Sequence, residues 1–313
     1  MSNDQRTLTQ KKRTISSQTI YPELYQGLRT MNVVLPADVI EALHQARTTE
    51  QTVDGSIDHA LGKNQSRPIL PRLHGGCFVL DSIVENAQLA QEQSLPVCQD
   101  TGFVLVFIQQ GYNLEITDEP LIPMIHRAIE NSYRDGYFRR SVVKDPLEDR
   151  TNTGTNLPPA VYFDWVEGDG LSISCLSKGF GSENYSRTYM LKPTEGPEAI
   201  IQKVEEVMTL AGGNCCPPVI LGIGIGGTMD WAAKLSKQAL LRDLTNHHPN
   251  PFYADLEQQI LQRVNDLGIG AGGLGGKVTA LGVHIETYPT HIAGLPVAIS
   301  VNCWAERKVV LSW

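Results

Sequence analysis

Between Val219 and Gly227 the chain reads Val-Ile-Leu-Gly-Ile-Gly-Ile-Gly-Gly. An apolar run of this kind, opened by Pro217-Pro218 and closed by a glycine pair, is a buried strand handing over to a helix from about Met229 to Asp243. Glycines at the hand-over admit close helix–strand packing or leave backbone amides open to an anion. The same residues fit the dinucleotide fingerprint, with Asp243 near the distance of a ribose-binding acid. No regular strand–helix–strand alternation surrounds them, so packing or an anion site is preferred to a nicotinamide site.

The remaining segments alternate less regularly. Helices are expected from Pro36 to about Thr49, from about Asp81 to Gln91, along the Ile122, Ile125, Ile129, Tyr133 face to near Tyr137, from Pro197 to Gly212-Gly213, and from about Tyr253 to Leu267. Val104–Ile108, Val278–Ile285 and Leu295–Val301 read as buried strands. Val161–Val166 and Leu171–Leu176 flank Glu167-Gly168-Asp169-Gly170, a hairpin signal. Thr52–Pro71 reads as a long loop and residues 1–17 as a disordered tail. The expectation is an α+β protein, a single mixed domain over 18–313 with helices packed around a largely antiparallel sheet.

Composition narrows the function classes. With 313 residues, 41% hydrophobic and 19% charged, the chain can bury a substantial core. A net charge of −8 argues against nucleic acid and anionic membranes. No apolar stretch of about 18 residues is present, and Met1–Ser17 lacks the apolar segment of a signal peptide. The six cysteines are scattered apart from one adjacent pair, which fits a reduced cytoplasmic protein better than a disulfide framework.

Reactive groups concentrate in Cys98-Gln99-Asp100-Thr101-Gly102, just before the Val104 strand. Cys98, Cys216 and Cys303 each stand where a regular element meets irregular chain, whereas Cys77 and Cys175 lie in apolar segments as small core residues. A zinc site is the metal alternative, although no cysteine pair has the two-residue spacing of structural zinc. Arg139 at a helix end can cap that helix, and His291 after Pro289 can be a surface turn residue.

Cys98-Gln99-Asp100-Thr101-Gly102, Asn152-Thr153-Gly154, Lys178-Gly179-Phe180-Gly181-Ser182, Cys216-Pro217-Pro218, Gly268–Gly276, Val283-His284-Ile285-Glu286 and His291–Cys303 together resemble the class I, iron–sulfur fumarase family. The likeness covers nearly everything after about residue 25. In detail it is to the α subunit or N-terminal domain of fumarate hydratases and L-tartrate dehydratases.

What the resemblance implies is a 4Fe-4S cluster on the thiolates of Cys98, Cys216 and Cys303. Three ligands leave one iron open as a Lewis acid, where four cysteines would close the cluster. Gln99, Asp100, Arg139, Gly181 and His291 would bind substrate, with Asp100 and His291 catalytic. The activity implied is hydro-lyase chemistry on a small dicarboxylate, fumarate/malate first, L-tartrate or mesaconate as alternatives. A redox or iron sensor is the non-enzyme alternative, but the Arg, Gln and Asp around the cluster favour an enzyme. Phe180 stands where the family commonly has glycine, and Cys215 is an additional thiol. The family's threonine base and two further arginines belong to a second domain, expected here on a separate β subunit, in an α2β2 assembly.

Overall fold

The structure, a computed structural model, describes residues 12–60 and 75–313, and the backbone alone over 52–60. In chain order its elements are β1 (Arg13–Ser16), α1 (Ser17–Val33), α2 (Ala37–Ala60), α3 (Gly75–Gln93), β2 (Phe103–Gly111), β3 (Leu114–Thr117), α4 (Leu121–Asp135), β4 (Ala160–Val166), β5 (Leu171–Lys178) and α5 (Phe180–Glu183). There follow β6 (Arg187–Leu191), α6 (Gly196–Ala211), β7 (Val219–Gly226), α7 (Met229–Ala239), α8 (Pro251–Asp266), β8 (Ala280–Tyr288), β9 (Leu295–Asn302) and β10 (Lys308–Ser312). The class is α+β, as expected.

Three sheets run in the orders β1-β3, β10-β5-β2-β4 and β6-β9-β7-β8. They are mixed rather than largely antiparallel: β1–β3, β2–β4 and β7–β8 pair parallel, while β6–β9 and β7–β9 pair antiparallel. The single domain foreseen from the sequence comprises two compact units. The first holds the described part of Met1–Thr30 with Val104–Leu176 and Val309–Trp313; the second holds Met31–Phe103 and Ser177–Lys308, less the residues outside the description.

In the first unit the hairpin expectation fails. β4 and β5 do not pair with each other, because β2 lies between them with Leu105 opposite Ala160 and Gly111 opposite Val166. β2 is buried from Val104 to Ile108, so its backbone groups need partners on both edges. The Glu167–Gly170 turn wraps over its end, Gly168 and Gly170 accepting the N–H groups of Asn113 (3.0 Å) and Gly111 (2.8 Å). Two further expectations change here and nearby. Arg13–Ser16 is a strand registered on Leu114–Thr117, so any tail is shorter than 1–17 and residues 1–11 lie outside the described chain. α2 continues to Ala60 through the first half of the expected loop, whose remainder, 61–71, also lies outside. α1 was not foreseen; Ile20, Leu24 and Leu28, four residues apart and fully buried, give it an inward face despite Pro22.

The second unit is built on β7. Its odd residues, Val219, Leu221, Ile223 and Ile225, enter one core with Ile200, Val204, Val207 and Met208 of α6 and Leu256, Ile260 and Val264 of α8. Each such side chain, when fully buried, contributes roughly 1.5–3 kcal/mol of transfer free energy. The even residues face α7. A Cβ on Gly222 would collide with the Ser236 carbonyl, and one on Gly224 with the Ala232 carbonyl. The glycines therefore admit a helix backbone, so the dinucleotide pattern here records close packing.

Candidate active site

The antiparallel register of β7 and β9 brings two of the three cysteines to one sheet end. Ile220, near the start of β7, pairs with Asn302, the last residue of β9. Cys216 lies just before β7 and Cys303 just after β9, so both hang from that end. Cys98 arrives on the loop between α3 and β2. That loop is pinned by the Val97 N–H on the Asn32 carbonyl (2.9 Å) and by Asn86 Nδ2 on the Val97 carbonyl (2.9 Å).

The adjacent thiols Cys215 and Cys216 part company. Cys215 ends a 3-10 turn, Gly212–Cys215, with its side chain fully buried in the β7 core and its Sγ donating to the Gly212 carbonyl at 3.4 Å. Burial pushes its thiol up to about 12. Cys216 takes the left-handed conformation, φ 56° and ψ 62°, which turns its side chain the other way, into exposure. That conformation costs a non-glycine residue on the order of 1 kcal/mol, and persists only where the surroundings fix it.

The three outward thiols sense one another. Burial raises the Cys216 pKa, and the negative charges of Cys303 and then Cys98 raise it further. Burial likewise raises that of Cys98; the Arg307 guanidinium and an N–H donated by Asp100 oppose it, and Cys303 adds to it. Among the described residues no group of three or more His, Cys, Asp or Glu side chains is placed to hold one metal ion.

Asp100 ties the loops around this site together. Its Oδ1 accepts the Gly102 N–H at 2.9 Å and its Oδ2 accepts the Phe180 N–H at 2.9 Å. Its carbonyl accepts from Arg307 Nη1. Gly102, at φ +80°, lets the chain run against Lys178, whose backbone would be 2.9 Å from a Cβ there. Lys178 is itself buried, donating to the Gly179 carbonyl (3.1 Å) and Ser182 Oγ (2.7 Å), with Glu183 at 3.5 Å. Desolvation lowers its pKa to about 8, against the pull of Glu183.

Of the other expected residues, Gln99 is exposed beside Cys98, and Gly181 lies in the first turn of α5. A Cβ on Gly181 would meet only the Asn214 carbonyl, at 3.9 Å, so the position has open space beside it. Phe180, half exposed, meets Phe103 edge-on with ring centroids 6.3 Å apart. Arg139 belongs to the first unit, exposed on the segment after α4. His291 is an exposed turn residue between β8 and β9; its Nδ1 accepts the Ala293 N–H at 3.2 Å and its carbonyl the Gly294 N–H at 3.0 Å. It precedes β9 whereas Cys303 follows it. The eight residues of β9 separate them by roughly 25 Å at ~3.3 Å per residue.

Arg307 was not foreseen. Among the described residues it has the largest fully buried side chain, in the charged triplet Glu306-Arg307-Lys308 after Cys303. Three consecutive charges leading into a strand were the available signal, since such residues are rarely buried unless paired.

The family profile described as Fumarate hydratase (Fumerase) matches residues 74–312. A protein of Methanocaldococcus jannaschii provisionally named L(+)-tartrate dehydratase subunit alpha is 38% identical over 286 residues, covering 90% of this chain and 93% of that protein. Proteins named L(+)-tartrate dehydratase subunit alpha from Escherichia coli and Shigella sonnei are 31% identical over 279 residues, covering 88% of this chain and 85% of theirs. With three thiols gathered at one sheet end and a profile match over most of its length, the chain belongs to the fumarate hydratase family of hydro-lyases.

Proposed function

We propose that this chain is the α subunit of an iron–sulfur hydro-lyase that removes water from L-tartrate. The observation that carries the reading is the gathering of Cys98, Cys216 and Cys303, from three separated segments, at one end of the β7–β9 pair. Tartrate is preferred over fumarate/malate because the relatives named above are tartrate dehydratase α subunits. Fumarate/malate is the second reading, favoured by the description of the family profile; mesaconate ranks behind both.

The donor set suits a 4Fe-4S cluster: Cys216 and Cys303 leave the same end of the β7–β9 pair, Cys98 stands on the loop before β2, and buried cations, Lys178 and Arg307, lie around the adjoining loops. When bound, the cluster would supply an iron with an open position as a Lewis acid for the hydroxyl that leaves as water. Gln99, beside Cys98, and the backbone of Gly181 would orient the substrate. Asp100, both of whose oxygens already hold backbone N–H groups, keeps the Cys98 and Gly179 loops in register while touching substrate. Arg139 would clamp a carboxylate with its planar fork. His291 lies a strand length from the thiols of its own chain, so its catalytic part would be played in the site of a second copy, in keeping with α2β2 assembly. A β subunit, implied by the relatives' names, supplies the proton-abstracting base. No helix among the described residues is long and apolar enough to cross a membrane, and thiols that must stay reduced suit the cytoplasm.

The test is turnover of L-tartrate, fumarate, malate and mesaconate by the anaerobically reconstituted α–β pair, with oxaloacetate as the product expected from tartrate. The cluster-loaded α chain alone should turn nothing over. Preference for fumarate would move the assignment to the second reading, and full turnover by α alone would end the two-subunit one.

A further inference from the structure

We infer that Glu50 is a positioning residue for Cys216, its carboxylate holding the glycine-rich loop Gly268–Gly276 against the turn that carries the thiol. Glu50 stands on α2 and is 3% exposed. Among the described residues its Oε1 accepts the backbone N–H groups of Lys277 at 2.6 Å and Val278 at 2.8 Å, just past that loop. A carboxylate can be buried in this way because charge-assisted hydrogen bonds to backbone N–H groups offset its lost hydration. The fit around it is close. A Cβ on Gly276 would come within 2.6 Å of Oε1, and one on Gly76 of α3 within 2.9 Å of the Gly275 carbonyl.

The N–H groups of the loop are taken up within the chain rather than held out to an anion. Gly270 donates to Thr279 Oγ1 (3.1 Å), Gly273 to the Gly270 carbonyl (3.0 Å) and Gly275 to the Ile269 carbonyl (2.9 Å). Gly272 reaches outward, and its N–H donates to the Pro217 carbonyl at 2.8 Å. On the other side of the thiol, the Cys216 N–H donates to the Gly213 carbonyl at 3.1 Å. Gly213 is itself pressed by the loop: a Cβ there would be 3.0 Å from the Gly272 carbonyl, and one on Gly273 would collide with the Gly213 Cα. The loop backbone thus braces the chain before and after Cys216, which sits at φ 56° and ψ 62°. A cysteine stays in that conformation only where its surroundings over-determine it. Glu50 anchors the brace, so its loss should be felt at the thiol although it touches neither Cys216 nor Pro217. The importance given to this thiol rests on the reading of Cys216 as a cluster ligand.

The experiment uses the full chain as wild type, Glu50→Met and Glu50→Gln. Folding is followed by circular dichroism, and amide hydrogen exchange of the metal-free chain is read by mass spectrometry on peptides covering Gly212–Cys216, Gly268–Val278 and the Cys98 loop. Folded Glu50→Met leaves two buried N–H groups unsatisfied and should exchange roughly tenfold faster at both Gly268–Val278 and Gly212–Cys216, with the Cys98 loop unchanged. Glu50→Gln keeps an acceptor but not the charge, so it should quicken the same two peptides by less, about threefold. The anaerobically reconstituted Glu50→Met chain should also lose iron to a chelator roughly tenfold faster than wild type. A merely structural carboxylate would quicken exchange everywhere or at its own loop alone. Wild-type exchange at Gly212–Cys216 in folded Glu50→Met, or equal acceleration at the Cys98 loop, therefore overturns the inference. If that variant does not fold, Glu50→Gln decides by the same two criteria. A wild-type chain that binds no iron would reject the cluster reading instead, and the exchange of the metal-free chain would still judge the link from Glu50 to Cys216.

Discussion

The two ends of β9 share a strand, a sheet and a hydrophobic middle, yet differ in what is packed behind them. At the Asn302 end hang Cys216 and Cys303, with Lys178 and Arg307 buried around the adjoining loops and Asp100 joining them. At the Leu295 end, Gly226 pairs with Tyr288, and the chain passes through an exposed turn holding His291 and a 91% exposed Ile292. Both ends contain polar side chains. Only the first sets them against buried charge, where the local dielectric is low and each electrostatic contact counts for more. The sheet supplies rigidity to both; the chemistry depends on the second layer.

The largest effect should separate neighbouring residues at the first end. Cys216→Ser should lose essentially all cluster iron and activity, while Cys215→Ser keeps its iron and loses only on the order of 1 kcal/mol of stability from a hydroxyl in the core. Iron analysis and a melting curve decide it; retention of iron by Cys216→Ser would exchange the two assignments. Next, Arg139→Ala should lower kcat/KM by on the order of 2–4 kcal/mol with iron unchanged, and lysine should restore it only in part. Unchanged kinetics would remove Arg139 from substrate binding. In the strand that joins the ends, Gly224→Ala must displace α7 and should cost about 1–3 kcal/mol, read as a fall in Tm. The smallest effect on stability belongs to the exposed turn: His291→Ala should shift it by less than ~0.5 kcal/mol. If His291 acts in the site of a second copy, kcat should fall in that variant at full iron content; wild-type kinetics would remove it from the chemistry and leave the ends as different as they look.

Much of this was readable along the chain, because it depends on local pattern. The β7 run, the α6 and α8 faces and the α7 start all follow from apolar period and turn residues. Strand neighbours were not, since the Glu167–Gly170 signal reports a reversal of direction and says nothing of β2 entering between β4 and β5. α2 outlasted its sequence signal because Thr52–Ala60 is polar and weakly periodic. The parting of Cys215 from Cys216 turns on one backbone angle, φ 56°, in a residue type that seldom adopts it. Arg307 was missed because burial of a charge is set by loops distant in sequence, at Asp100 and Gly179. His291 was found as a residue, but its end of the sheet follows only from the register of β9.

Asp100 fixes one thing more. With two carboxylate oxygens, a carbonyl and an N–H all engaged, this single residue freezes the Cys98 loop as the chain folds. Ordering a residue costs roughly 1–2 kcal/mol of conformational entropy. Here that cost falls on folding, so a cluster assembled as proposed would meet a prearranged loop rather than a floppy one. The apoprotein should thus be a ready acceptor whose loading is limited by the supply of metal rather than by rearrangement of the chain.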